Sequence, residues 1–153
     1  MFFDDFESAE PVTSAPRTIS EADVNAFADL TGDHVPLHTD EAYAATTAFG
    51  RRIAHGALVF SCSIDLSTEM RLFDDSLLAF AGVDKLRFVA PVFLGDTIRV
   101  VKRVAERKAL GASQGIVTFD SKVLNQDNKL VVAYMDRILV KRRPGAAETP
   151  SPA

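Results

Sequence analysis

The chain has 153 residues, 47% of them hydrophobic and 25% charged, which fits a single soluble globular domain with a sizeable core. A net charge of -4 and a pI near 5.3 exclude the broad basic face of a general nucleic-acid binder. No stretch reaches the ~20 apolar residues of a membrane span. The start, Met1-Phe2-Phe3-Asp4-Asp5, is acidic where a signal peptide is basic. The single Cys62 has no intrachain disulfide partner, so a cytoplasmic location is expected, and its apolar neighbours read as the surroundings of a buried structural thiol.

Residues 1–16, with Pro11 and Pro16, read as an extended lead-in. Ser20 is placed to cap a helix whose Val24, Phe27, Ala28 and Thr31 share a face, with Asp23 completing a capping box and Gly32 ending the helix. A turn over 33–38 follows. Asp40 and Glu41 then sit where negative charge favours a helix start, and a short Ala-rich helix is predicted to about Ala48. From Ala57 to about Met70 the spacing predicts a helix that is apolar on nearly every side in its first half, hence one wrapped by protein.

The second half changes character. Segments near 77–90, 97–108, 115–125 and 129–141 are rich in Val, Ile, Leu and Phe and alternate in parts. Leu86, Phe88 and Ala90 oppose Lys85, Arg87 and Val89. Val117, Phe119, Ser121 and Val123 oppose Thr118, Asp120 and Lys122. Turn residues separate the segments: Gly95-Asp96, Gly111-Ala112-Ser113 and Asn125-Gln126-Asp127-Asn128. The expected class is α+β: an antiparallel sheet curled around one central buried helix, with one domain over 17–143 and a disordered tail over 144–153.

All three histidines fall in one short stretch, in Gly32-Asp33-His34-Val35-Pro36-Leu37-His38 and in His55-Gly56. Histidine trades protons near neutral pH because its ordinary pKa is about 6.5. Asp33 and His38, five residues apart on a turn stiffened by Pro36, are the candidate acid–base pair. Gly56 opens the predicted buried helix, where unpaired N–H groups and the helix dipole suit an oxyanion. His34 reads as solvent-facing and His55 as a residue orienting the start of that helix. Arg51-Arg52 and Lys141-Arg142-Arg143 are candidate contacts for a phosphorylated ligand, with a surface role as the plain alternative. No metal-ligand spacing is present, so no metal is expected.

At these residues the chain resembles the hotdog-fold MaoC-like dehydratases, the group that contains the (R)-specific enoyl-CoA hydratases. The family's Gly-Asp-x-Asn-Pro-x-His-x-Asp is similar to Gly32–Asp40. Its Phe-Gly step and basic-Ile-x-His-Gly run are matched by Phe49-Gly50 and Arg52-Ile53-Ala54-His55-Gly56. Arg87-Phe88, Pro91-Val92 and Gly95-Asp96-Thr97 match further along, so the likeness covers about residues 17 to 141. Two positions depart from it: Val35 stands where the family has Asn, and Ile64 where some hydratases have a serine lining the site.

The resemblance implies a hotdog fold and a cofactor-free acyl-CoA hydratase or dehydratase. Asp33 and His38 would be catalytic and the Gly56 N–H the oxyanion donor. Val35, Pro36, His55, Ile64 and Arg52 would contact substrate. It also implies a homodimer, with the two sheets joined edge to edge and higher assembly of dimers open, while the charge and the lack of a long apolar segment argue against nucleic-acid and membrane partners. Two alternatives stand beside it. One is a hotdog thioesterase using a carboxylate such as Asp65 or Glu69 on the central helix. The other is a non-catalytic acyl-CoA-binding subunit, which the changes at Val35 and Ile64 keep open.

Overall fold

The computed structural model describes residues 1–7 and 10–145, so the tail expected over 144–153 lies outside the described residues from residue 146 on. Two short strands, β1 (Val12–Thr13) and β2 (Arg17–Thr18), precede the helices α1 (Glu21–Thr31), α2 (Pro36–Thr39), α3 (Glu41–Ala44) and α4 (Gly56–Glu69). Four long strands follow: β3 (Leu77–Phe88), β4 (Thr97–Ala109), β5 (Gln114–Leu124) and β6 (Leu130–Lys141). They form an antiparallel sheet in the order β1-β4-β5-β6-β3, with β2 also paired to β4. The α+β class read from the sequence is the observed one.

Local chemistry explains the ends of α1. Ser20 Oγ accepts the Asp23 N–H (3.1 Å) and the Asp23 carboxylate accepts the Ser20 N–H (2.9 Å), a reciprocal capping box. Gly32, at φ 78°, takes the left-handed conformation that ends the helix and donates its N–H to Ala28 O (2.8 Å). The predicted helix after Asp40 is shorter than expected: α3 stops at Ala44 and continues as turns.

α4 lies in the concave face of the sheet. Leu58, Val59, Cys62 and Leu66 pack with Ile98, Val100, Val123, Val132 and Tyr134, and with Val24 of α1. Burial pushes the Cys62 thiol pKa up, as befits a packing residue. The expectation that α4 is covered on every side is corrected here. Ala57, Ser61, Asp65 and Thr68 form an exposed stripe at helical spacing, because the sheet reaches round only one side and this stripe carries small and polar side chains.

The lead-in is extended only in part. Phe3–Asp5 form a 3-10 turn, and Phe3 and Phe6 cap a second core with Val117, Phe119, Ile138 and Val140. Between the two cores, beyond the end of α4, Asp136 is fully buried and accepts hydrogen bonds from Lys102 Nζ and from Ser121 Oγ (2.6 Å). Burial pulls the Lys102 pKa down and the Asp136 carboxylate opposes it. Sequence patterning did not reveal this ion pair, since Lys102 falls in a strand beside other charged residues. Among the described residues, no helix is long and apolar enough to cross a membrane.

The sheet's two edges differ. β1 and β2 pair along β4 and blunt that edge. Among the described residues, β3 has no neighbour on its outer side. Its register breaks three times against β6, with Lys85 at φ 55° in one of the breaks. Leu77, Leu78, Phe80, Leu86 and Phe88 on this strand are all exposed, so of the apolar set read from its alternation Leu86 and Phe88 do not face the core of the chain, whereas Ala90, just past the strand, packs against it.

Candidate active site

The site forms where the turn after α1 meets the first turn of α4. Asp33 follows Gly32, its N–H bonded to Thr31 Oγ1 (3.2 Å), and its Oδ1 accepts the Val35 N–H (3.4 Å). Pro36 then begins α2, where its fixed φ suits the first helical position and its missing N–H costs nothing. This short helix carries His38 back toward Asp33. A carboxylate oxygen of Asp33 and one ring nitrogen each from His38 and His55 lie within 4.8 Å of one another. The spacing of the two motifs in the sequence thus becomes one cluster in space.

Backbone carbonyls decide which histidine nitrogens carry hydrogen. His38 Nδ1 lies 2.8 Å from Ile53 O, and a carbonyl only accepts, so Nδ1 donates and Nε2 keeps its lone pair. The Asp33 side chain is 45% exposed, which leaves its carboxylate open to water and ligand, while His38 is half-buried. His55 is buried, its ring stacked on that of His38 at a centroid distance of 4.0 Å.

His55 is also the N-cap residue of α4. The first hydrogen bond of that helix runs from Val59 N–H to His55 O (3.1 Å), so the N–H groups of Gly56, Ala57 and Leu58 have no acceptor within the helix. They supply the positive helix end that an oxyanion would seek. Gly56 is required by its surroundings: a Cβ there would stand 2.8 Å from the Phe88 ring. Phe88, on the open edge strand, therefore roofs the helix start, a contact that the Arg87-Phe88 motif marks in the sequence without showing its partner.

Arg52 does not stand where a phosphate contact would. It is 7% exposed, and Nε donates to His38 O (2.6 Å), Nη1 to Glu21 (2.7 Å) and Nη2 to Asn25 Oδ1 (2.8 Å). These bonds clamp the turn that carries His38 to α1, and the one-turn spacing of Glu21 and Asn25 is the signal that could have suggested it. Arg51 lies over the Phe93 ring at 4.0 Å. Arg142 and Arg143 bind Asp4 and Asp5 at the chain start, well away in the fold from this cluster. Val35 and Pro36 are exposed on the rim of the turn. Ile64 is half-buried against the main core, on the same stripe of α4 as Gly56 and Phe60. His34 is exposed beside Asp29 (3.6 Å).

The Asp33, His38 and His55 group has the donor types for a metal ion. Two of its four imidazole nitrogens, however, are committed to carbonyl oxygens, and His55 Nδ1 is buried. One imidazole nitrogen and one carboxylate remain, fewer than the three or four protein ligands that zinc takes.

A family model described as "MaoC like domain" matches residues 5–125. The chain is 38% identical over 116 residues to an (R)-specific enoyl-CoA hydratase from Aeromonas caviae, covering 76% of this chain and 82% of that protein. It is 35% identical over 99 residues to Protein MaoC from Klebsiella aerogenes, covering 65% of this chain, and it spans only 29% of that longer protein. Among solved structures, a monoamine oxidase regulatory protein from Archaeoglobus fulgius superposes with a TM-score of 0.89 at 36% identity, covering 94% of this chain and 96% of the other. With the family model matching most of its length, the chain belongs to the MaoC-like family of hotdog-fold domains.

Proposed function

We propose that the protein is a hydro-lyase that reversibly adds water to a 2-enoyl-CoA, giving a 3-hydroxyacyl-CoA, with Asp33 and His38 as its acid–base pair. The observation that carries this reading is the convergence of the Asp33 carboxylate and the His38 ring beside the N-terminus of α4. The hydratase name of the Aeromonas caviae relative supports it.

Water held between the Asp33 carboxylate and His38 Nε2 loses a proton to the imidazole as its oxygen bonds to C3 of the alkene. The electron pair moves to the thioester oxygen, which the Gly56 N–H receives at the helix end. A proton returns to C2 from the same side, and the enolate collapses to the product. Every atom of water is retained, and no redox partner or metal enters the balance. Val35 and Pro36 border the acyl group at the rim, and the stripe of Gly56, Phe60 and Ile64 gives it an apolar path along α4. His55 lies beneath this path rather than on it.

The thioesterase alternative finds less support. Asp65 and Glu69 lie about 13 and 20 Å along α4 from Gly56, and Asp65 is paired with Arg17 (3.1 Å). Incubation with crotonyl-CoA and with a saturated acyl-CoA separates the readings. The proposal expects water addition to the first and no thiol release from either. Thiol release would favour a thioesterase, and inertness toward both would favour a binding subunit.

A further inference from the structure

His55 is 2% exposed, and its two nitrogens are treated very differently. Nε2 lies 3.0 Å from the main-chain carbonyl of Asp33. Because the carbonyl can only accept, Nε2 must carry the hydrogen. Nδ1 is buried without any partner, and among the described residues it is the one buried side-chain nitrogen or oxygen in that position. A bare Nδ1 lone pair is the cheaper orphan, since an N–H there would be a buried donor with no acceptor. The environment therefore selects the neutral Nε2–H tautomer.

The ring has no freedom to turn from this bond. It is sandwiched between Phe27 of α1 (centroids 5.0 Å apart) and His38 (4.0 Å). The Asp33 Oδ2 carboxylate oxygen stands 4.0 Å from Nε2, on the side that carries the hydrogen. His38 is held in the opposite tautomer by Ile53 O. The two stacked rings thus divide the work: His38 keeps its lone pair on Nε2, and His55 turns its N–H toward the backbone of Asp33.

We propose that His55 is a positioning residue, whose Nε2–H holds the Asp33 carbonyl and thereby keeps the Asp33 carboxylate in register with His38. The inference rests on the hydratase reading. Asp33 lies in a turn with an exposed side chain, and its own local bonds are weak: the Val35 N–H contact is 3.4 Å long. The His55 bond ties this turn to the rigid start of α4.

Two substitutions separate the ring from its hydrogen bond. Gln places an N–H near the position of Nε2, whereas Phe keeps an aromatic face against His38 and Phe27 but cannot donate. With crotonyl-CoA, His55→Phe is expected to lower kcat about 10²-fold with KM changed less than about threefold, because a misplacement of ~1 Å costs that much. His55→Gln is expected to keep kcat within about threefold of the parent, since the donor is restored. Equal losses in the two variants, or full kcat in His55→Phe, would overturn the proposal. Nitrogen-15 NMR of the parent protein adds a test that needs no variant: His55 should show the Nε2–H tautomer, and an Nδ1–H tautomer would contradict the assignment. A parent protein with no hydratase activity would instead count against the function itself, so the two failures are told apart.

Discussion

At the scale of single residues, the site is built from main-chain carbonyls as much as from side chains. Ile53 O, Asp33 O and His38 O fix His38, His55 and Arg52 in turn, and none of these three contacts can be read from residue types. The clustering of Asp33 and His38 was legible because Asp33, Pro36 and His38 lie close in sequence. Arg52 was misread because a surface phosphate contact and a buried clamp use the same residue, and only the fold brings Glu21 and Asn25 to it. Gly56 offers a test at this scale. Its missing Cβ leaves room for the Phe88 ring, so Gly56→Ala should lower unfolding stability by about 1–3 kcal/mol through overpacking. In a Phe88→Ala background that cost should largely vanish, since coupling between touching residues is lost when one is removed. Equal costs in both backgrounds, read from urea unfolding, would show that the ring is not the obstacle.

Among elements, the long ones follow directly from periodicity. α1, α4 and the four long strands are where apolar spacing put them, and the even-numbered and odd-numbered faces of β5 separate as expected, with Val117, Phe119, Ser121 and Val123 all buried. The pieces that periodicity missed are too short to have a period. β1 and β2 have two residues each, and their partner is a strand about 80 to 90 residues away. The capping box of α1 gives a pH test. The Ser20 N–H is the largest influence on Asp23, and it holds the carboxyl below its ordinary value of 3.8 against an opposing effect of partial burial. A depressed carboxyl pKa stabilises the folded state above the unfolded value, and this gain is lost as pH falls through the folded value. Asp23→Asn should therefore unfold at lower urea than the parent at neutral pH, with the gap closing below pH 3.8. A gap that stays constant with pH would assign the effect to packing instead.

On the scale of the whole molecule, the two sheet edges point to an assembly. β4 is blunted by the N-terminal strands, whereas β3 presents exposed Leu78, Phe80, Leu86 and Phe88 along an edge unpaired among the described residues. An open apolar edge of this kind pairs with another copy or aggregates. A homodimer through β3 is expected, which would place Phe88 and the start of α4 near the subunit boundary. Sedimentation at micromolar concentration should give twice the chain mass, and Phe80→Arg should shift it toward the monomer. A monomeric parent would contradict this. Whether Asp33 and His38 act on one shared water, as proposed, is read from a double-mutant cycle in kcat with crotonyl-CoA. Asp33→Asn and His38→Gln should each lower kcat about 10²- to 10⁴-fold, and the double variant should fall little below the worse single one. Losses that multiply would contradict the shared water and assign the two residues to separate tasks.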